Sequence, residues 1–429
     1  MSNVLNKLVD SLNHPDESIR LDSLRQLMIM VKSGRLEKPV KTKDVNNHIH
    51  TFYSFSPYSP AKAVWMAYAA GLATAGIMDH DSVSGGREFM EAGRITGLAT
   101  TIGVECRADF SKTPLNERKI NNPDQASIAY VALHGIPHTQ TSTVQEFFKP
   151  YTGYRNVRNQ KMTENINRLM APSGISLDYE KDVMQLSKYI YGGSITERHL
   201  LFALSLKLID RVGKGKKLVS FLRKQLKLDI SEKAESYLSD PLNPHYKYDL
   251  LGLLKSGLVS DIYINATEEC PDITEILQLS DKVGAISAYA YLGDIENSAT
   301  GDKRAQKFED DYLDELFAVL HDLSFRAVTY MPSRNTAMQL DRVRSLCGRY
   351  GFFQISGEDI NSSRQSFICT ALRSDKYRNL YDSTWALIGH ELASTANPDA
   401  GMFSKKTTAK YPSLEQRIKI FKEIGLNMG

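Results

Sequence analysis

Near the start of the chain, apolar residues recur with the period of a helix. Leu24, Leu27, Met28 and Val31 fall at positions i, i+3, i+4 and i+7. Residues with this spacing lie on one face of an α-helix, so the stripe predicts a helix that buries one side. No candidate for chemistry stands beside it. We therefore expect residues 1–43 to form a helical flank packed on the main domain.

From Asp44 onward, short apolar runs alternate with helical stretches. Helices are predicted at Ala61–Ala70 and Arg87–Arg94, between the first of these runs. A strand–helix–strand order is typical of a parallel sheet or barrel. The strands predicted in this part are Val45–Thr51, Ala73–Met78, Ala99–Glu105 and Ile128–His134.

The alternation stops between about Gly153 and Leu254, where the chain is rich in Lys, Leu and Ser and has helical periodicity. We interpret this stretch as a helical insertion. In the last segment, Ser413 and Gln416 are spaced as a capping box, and Gly425 is expected to stop the helix. The strands predicted after the insertion are Asp261–Asn265, Ala285–Tyr291, Arg326–Met331 and Phe352–Ser356. The predicted division is a flank (1–43), a first barrel part (44–152), the insertion (153–254), a second barrel part (255–379) and a helical tail (380–429).

Composition limits the class of protein. The 429 residues are 42% hydrophobic and 24% charged, as in ordinary soluble globular domains. A net charge of +3 is too small to indicate a nucleic-acid surface, so we expect no nucleic-acid partner beyond a nucleotide or short oligonucleotide. The sequence shows no apolar run that could span a bilayer and no signal-peptide pattern. Its four widely spaced cysteines predict reduced thiols and a cytoplasmic location.

Titratable residues collect at the ends of the first two predicted strands. His48 and His50 are two residues apart, so on a strand both imidazoles point to the same side and can face one ion. Asp79, His80 and Asp81 follow the second strand, and their mixture of oxygen and nitrogen donors suits zinc, manganese or iron. We expect these three to be catalytic. His80 completes a metal site or acts as a general acid, and at least one aspartate orients a ligand histidine.

Later strands end in the same residue types. Glu105 closes the third predicted strand, His134 closes the fourth with His138 as an alternative, and Asp359 follows the last. Each residue alone is more often a solvated side chain. Catalytic groups of β/α barrels, however, gather at the C-terminal ends of the strands. Four such ends in succession, with a fifth near the C-terminus, predict a shared metal site.

This ordered set resembles the polymerase and histidinol phosphatase (PHP) family of metallohydrolases, over about residues 44 to 365. The resemblance implies an α/β fold, a distorted (β/α)7 barrel of the PHP type with a helical insertion, together with bound divalent metals and phosphoesterase chemistry. It also implies that His199, within the insertion, is a helix-borne metal ligand. The motifs that carry it are His48-Ile49-His50, Asp79-His80-Asp81, Glu105, His134, His199 and Gly357-Glu358-Asp359.

A physical argument also favours His199. Ser194 and Glu197 are spaced as a capping box, which would place His199 in the first turns of a helix. The positive end of a helix favours neutral imidazole, the form that binds metal. The alternative is a histidine that merely covers a helix end.

The chain departs from the PHP pattern in three places. No carboxylate occurs in Thr51–Ser56, directly after the two histidines, and Tyr289 and Asn361 stand where many members have histidine. By resemblance, the missing aspartate and the final histidine would serve a third ion. We therefore expect two divalent ions (Zn, Mn or Fe), with a third in doubt. The family histidine of the fourth strand aligns with either His134 or Tyr130.

The function implied is hydrolysis of a phosphomonoester or small phosphodiester by metal-activated water. Arg364, Arg334 and Lys303 are candidates for holding the phosphate of a small substrate, and surface ion pairs are the alternative for each. Tyr289 and Asn361 support a second hypothesis, a non-catalytic barrel that binds a metal or nucleotide as a regulatory module. A metallohydrolase of other substrates would use the same ligands.

Overall fold

The computed structural model describes residues 2–294 and 309–428, and every structural statement below refers to them. Within these residues one sheet runs in the order β1-β2-β3-β4-β5-β6-β7. The strands lie at seven of the positions that the apolar runs predict. They are β1 (Val45–Ile49), β2 (Thr74–His80), β3 (Ala99–Asp109), β4 (Ile128–His134), β5 (Ile286–Ala290), β6 (Ala327–Tyr330) and β7 (Phe353–Ser356).

The α-helices surround this sheet, and further helices precede its first strand and follow its last one in the chain. Two helices precede β1, as the N-terminal apolar stripe predicts, and helices separate most of the later strands. They are α1 (Ser2–Ser11), α2 (Glu17–Lys32), α3 (Pro60–Ala69), α4 (Gly86–Thr96), α5 (Thr141–Met170), α6 (Glu197–Val212), α7 (Lys216–Lys224), α8 (Glu232–Ser239), α9 (Tyr246–Ile262), α10 (Ile273–Val283), α11 (Leu313–Asp322), α12 (Ala337–Tyr350), α13 (Arg378–Ala396), α14 (Lys405–Lys410) and α15 (Leu414–Met428).

The sheet is a nearly closed, distorted barrel, as predicted. A backbone bridge joins β1 to the segment after β7: the Ile360 carbonyl accepts the His50 N–H at 3.0 Å, and Ile360 donates to the His48 carbonyl at 3.1 Å. Strands β1 to β3 are mutually parallel, as are β5 to β7. The barrel end where β1, β2 and β3 terminate is called the mouth from here on.

Strand β4 runs antiparallel to both of its neighbours. The segment 110–127 that links β3 to β4 contains no helix, so the chain turns back beside β3 without the crossover that a parallel strand requires. The last residue of β4 therefore lies at the end opposite the mouth. A strictly alternating β/α rhythm does not predict this reversal.

The end opposite the mouth is closed by α13 and α15. Leu387 of α13 and Phe421 of α15 belong to one buried cluster with Met78, Ala132 and Ile355 of the barrel strands. The two helices approach closely where they carry glycines: a Cβ on Gly389 would lie 1.9 Å from the Phe421 carbonyl oxygen. A Cβ on Gly425 would lie 2.1 Å from the carbonyl oxygen of Trp385. The prediction that Gly425 stops the helix is wrong, because α15 continues to Met428 and the glycine serves this contact.

The insertion has its own buried core, formed mainly by apolar residues of α5, α6, α7 and α9. Phe55 of the barrel mouth also belongs to this core. The predicted limits of the insertion, Gly153 and Leu254, fall inside α5 and α9. The strand predicted at Asp261–Asn265 is wrong, because α9 runs through Ile262 and the residues after it have no regular structure.

The four cysteines are buried free thiols. None of the described helices combines the length and the apolar character needed to cross a membrane.

Candidate metal centre

Strand β1 presents two imidazoles to the same side. A β-bulge between Asn46 and Ile49 shifts its register against β2, and bulges of this kind re-aim side chains beside functional sites. Asn46 Oδ1 accepts the His48 backbone N–H at 2.9 Å and holds the bulge. His48 Nε2 and His50 Nε2 lie 3.2 Å apart, in agreement with the two-residue spacing.

Residues from β2, from β3 and from the segment after β7 join these histidines. Glu105 Oε2 lies 3.3 Å from His80 Nδ1 and 3.8 Å from His48 Nε2. Asp359 Oδ1 lies 3.2 Å from His50 Nε2. The ligand atoms form two overlapping groups, each within 4.8 Å: His48, His50 and Asp359, and His50, His80 and Glu105.

The donor set fits a divalent transition metal. Imidazole nitrogens and carboxylate oxygens without a thiolate suit zinc, manganese or iron. Three protein ligands with an open position are the usual composition of a catalytic zinc site. His50 belongs to both groups. Because one nitrogen lone pair serves one ion, two ions would divide these five residues and would need water or substrate as further ligands.

Asp79 lies behind the ligands and holds the tautomer of His50. Its carboxylate accepts the Thr51 N–H at 2.7 Å and the Ser54 hydroxyl at 2.6 Å. The Ser54 oxygen lies 3.2 Å from His50 Nδ1. Since its own proton goes to Asp79, Ser54 accepts the Nδ1–H and leaves the Nε2 lone pair free for a metal. Asp79 thus reaches His50 through Ser54, and its role in orienting a ligand histidine stays a prediction. The sequence did not single out Ser54, because isolated serines carry no pattern.

Asp81 faces a different set of partners. It has a left-handed backbone (φ 50°), and its carboxylate pairs with Arg155 Nη1 of α5 at 2.5 Å. Arg155 is part of a buried network with two more arginines and two more carboxylates. The network consists of Arg107, Arg155, Arg158, Asp81, Glu197 and Glu269.

Sequence reasoning missed these arginines, although their spacing offered a signal. Arg107 is two residues after Glu105 on β3, so both point to the same side of the strand. Arg155 and Arg158 are three apart on α5, so they share one helix face.

The electrostatics keep two of the three histidines neutral. Burial, together with the charge of His50, lowers the pKa of His48 to about 4. Burial and the charge of His50 also lower the pKa of His80 well below its usual value. Burial lowers the pKa of His50, but the hydrogen bond and the charge of Asp359 outweigh burial and raise this pKa above its usual value. Burial would raise the pKa of Asp359, yet the bond and charge of His50 hold it well below its ordinary range.

His134 and His138 belong to neither of the two ligand groups, although the charge of His48 contributes to the lowered pKa of His134. Because β4 is reversed, His134 pairs with Ile286 at the start of β5. His138 Nε2 lies 2.8 Å from Glu391 Oε1 of α13, at the closed end. His134 does end its strand, but that strand runs in the reverse direction, and its role as a metal ligand stays a prediction. Tyr130, the alternative position, does lie near the mouth, with its ring 6.2 Å from that of His80.

His199 caps α6 instead of facing the two ligand groups. The Thr196 N–H donates to His199 Nδ1 at 3.0 Å, so the capping box is formed by Thr196 and His199, and the predicted pair Ser194 and Glu197 is wrong. The ring packs edge-on against Phe55 at 5.0 Å. Burial lowers the pKa of His199 to about 3. With Nδ1 as acceptor, the neutral ring carries its proton on Nε2, so metal binding, which stays a prediction, requires a change of tautomer.

Two of the three residues expected to hold a phosphate are engaged elsewhere. Arg364 pairs with Asp249 of α9 at 2.6 Å and lies over the Tyr237 ring at 3.9 Å. Arg334 Nε donates to the Leu292 carbonyl at 3.1 Å. Lys303 lies outside the described residues.

Tyr289 does not face the metal centre. It lies in the outer core, whereas its neighbour Ala288 belongs to the cluster inside the barrel. Its hydroxyl donates to Glu309, which also accepts the Leu292 N–H at 2.8 Å. Burial raises the pKa of Glu309 to about 7. A histidine at position 289 on this backbone would likewise point away from the ligands.

No protein-family model and no curated protein matches this sequence. Several solved structures resemble it, including the following two. A protein from Bifidobacterium adolescentis, assigned as a metal-dependent phosphoesterase, is 17% identical and matches over 79% of this chain and 96% of its own, with a TM-score of 0.50. An amidohydrolase from Chromobacterium violaceum, solved with bound sulfate and no metal, is 14% identical over 76% of this chain and 90% of its own, with a TM-score of 0.48. At such identities the likeness concerns the fold, a distorted α/β barrel.

Proposed function

We propose that this chain is a metal-dependent hydrolase that cleaves phosphate esters. One observation carries the proposal: five ligand-type side chains, brought from three strands and the segment after β7, converge at the mouth. They are His48, His50, His80, Glu105 and Asp359. Buried histidines gathered beside buried carboxyl groups are a costly arrangement for a protein with no use for a cation.

When bound, a divalent metal supplies polarisation of the phosphoryl oxygens and a water of lowered pKa. Glu105 Oε2 lies within 3.8 Å of both His48 Nε2 and His80 Nδ1, so its carboxylate would help to hold an ion beside either histidine. Asp359 and the pair Ser54–Asp79 fix His50 from opposite nitrogens. The resemblance of the motifs to those of the PHP family supports phosphate esters as the substrates. It also supports two bound metal ions per chain.

His80 is the histidine that a substrate reaches. Its side chain is 27% exposed, compared with 11% for His48 and 2% for His50. Because its pKa lies well below the usual value, the ring is neutral at neutral pH. A neutral imidazole holds a metal or accepts a proton from the attacking water, and these roles suit His80 better than that of a cationic acid.

The test is hydrolysis by metal-defined protein. Chelated protein should be inactive toward an aryl phosphate and a panel of nucleotides, and added manganese or zinc should restore turnover. Glu105→Gln should lose both metal and activity, whereas Glu146→Gln, at a side chain 72% exposed, should keep both.

A fully metallated protein that cleaves no ester in the panel would favour the non-catalytic module instead. One contact favours this non-catalytic module. Asn361 Nδ2 donates to Asp359 Oδ1 at 2.6 Å, so the amide occupies an oxygen that would otherwise be a metal ligand.

A further inference from the structure

The arginines nearest the mouth are already neutralised by carboxylates. Arg107 pairs with Glu197 at 2.6 Å and with Glu269 at 3.2 Å. Arg158 pairs with the same two carboxylates, and Arg155 pairs with Asp81. Three cations thus face three anions in a buried set. An incoming phosphate would have to displace carboxylates from these guanidinium groups.

Arg198 is placed differently, in the first turn of α6. On one side, Glu197 contacts Arg107, two residues past Glu105 on β3. On the other side, His199 contacts Phe55, in the loop after β1. Successive helix residues leave the axis about 100° apart. The Arg198 side chain therefore leaves α6 between these two contacts, over the gap between the ends of β1 and β3.

The metal ligands lie below that gap. His48 belongs to β1, His50 directly follows it, and Glu105 belongs to β3. The charge of Arg198 reaches the Asp359 carboxylate, so the guanidinium lies near this cluster.

The segment that carries Arg198 is held to the mouth by hydrogen bonds. The Ser194 hydroxyl donates to the His80 carbonyl at 2.7 Å, and the Ser194 N–H donates to the Tyr53 carbonyl at 2.7 Å. Asn159 Nδ2 of α5 donates to the Ile195 carbonyl at 2.8 Å. The start of α6 is therefore preorganised.

The Arg198 guanidinium makes no short contact with an anion among the described residues. Among residues 2–294 and 309–428, no hydrogen bond or ion pair reaches it, although the residue is only half-exposed. Arginine that is partly withdrawn from water is normally paired, and its planar fork matches the oxygens of phosphate. An unpaired guanidinium above a metal-ligand cluster is a receptor for an oxyanion.

We propose that Arg198 binds the non-bridging oxygens of the phosphoryl group that the substrate presents to the metal centre. This inference rests on the proposed function and adds the residue that recognises the substrate anion. It assigns to the insertion a direct role in binding, because Arg198 is contributed by α6.

The test measures binding of inorganic phosphate to metal-loaded protein by calorimetry, together with KM and kcat for an aryl phosphate. Arg198→Ala should weaken phosphate binding and raise KM by about 10- to 100-fold, the usual range for lost hydrogen bonds to a charged group. Metal content and the thermal midpoint should not change. Arg211→Ala removes an exposed arginine from the last turn of the same helix and should change nothing. Arg198→Lys should recover part of the loss, because lysine keeps the charge without the fork.

Unchanged phosphate affinity in Arg198→Ala, or no phosphate binding by the parent protein, would overturn the assignment. Arg198→Gln repeats the measurement if the alanine variant unfolds. A parent protein that hydrolyses esters with a KM independent of Arg198 leaves the proposed function standing and removes this inference. A parent protein that binds phosphate through Arg198 but hydrolyses no ester would support this inference and contradict the proposed function.

Discussion

Asp359 Oδ1 lies 3.2 Å from His50 Nε2, so a residue after the last strand completes the ligand group that the first strand begins. Asn361 Nδ2 donates to the same carboxylate oxygen at 2.6 Å. The barrel therefore has to close before this group exists. The backbone bridge between Ile49 and Ile360 lies directly beside the contact.

Replacing Asp359 tests this relationship. In Asp359→Asn, His50 loses the charge that raises its pKa, and the cation loses an anionic ligand. We expect zinc or manganese affinity, measured by titration calorimetry at neutral pH, to fall at least about 10-fold. Asp322→Asn is the control, since that side chain is 82% exposed. Equal affinities in both variants would exclude Asp359 as a ligand.

A second prediction separates the two ends of the barrel. Glu105→Gln should reduce metal content after dialysis, because Glu105 contacts two ligand histidines. His134→Gln should leave metal content at the parent level, because β4 carries His134 to the opposite end. Elemental analysis of the two purified variants decides the matter. Loss of metal in His134→Gln would show that His134 helps to hold the metal despite the reversed direction of β4.

The third prediction concerns pH and lies away from the metal. The pKa of Glu309 rises from an ordinary 4.5 to about 7 in the folded protein, chiefly through burial. Between these values the folded protein holds a proton that the unfolded chain has released, so this group makes stability fall as pH rises from about 4.5 to about 7. The penalty above pH 7 is on the order of 3 kcal/mol.

Glu309→Gln imitates the protonated side chain and should remove that component. Urea unfolding at pH 5 and pH 7.5 should show the variant gaining on the parent only at the higher pH. A gain of equal size at both pH values would point to packing and not to titration.

The fourth prediction concerns the crossing of α13 and α15. Gly389→Ala would place a Cβ 1.9 Å from the Phe421 carbonyl oxygen, which neither helix can relieve without moving. We expect the free energy of unfolding to fall by more than about 3 kcal/mol. Gly153→Ala in α5 is the matched control, because its Cβ would meet no atom within 4 Å. That variant should gain about 0.5–1 kcal/mol from helix propensity. Similar midpoints for both variants in thermal unfolding would refute the close contact.

The parts that sequence predicts well are those with a short-range signal. The apolar runs locate all seven strands, and the two-residue spacing of His48 and His50 predicts their shared side. Strand direction has no such signal, so the reversal of β4 and the position of His134 were not foreseen. The residue that caps a helix is also hard to predict from local sequence, because more than one residue can fit the capping pattern. Ser194 and Thr196 both precede α6 as potential caps, and tertiary contacts with His80 and Tyr53 take up Ser194.

The reversed β4 also constrains how this protein tolerates insertions and deletions. It delivers the chain to the closed end, and α5 carries it back to the mouth, where Arg155, about 21 Å along this helix, meets Asp81. Arg155 and Arg158 contact their carboxylates only if α5 is rotated about its axis so that both face the mouth. Adding or removing one residue between Thr141 and Arg155 would turn everything beyond it by about 100° and shift it by about 1.5 Å. The length of α5 before Arg155 is thus fixed by the distance from the closed end to the mouth.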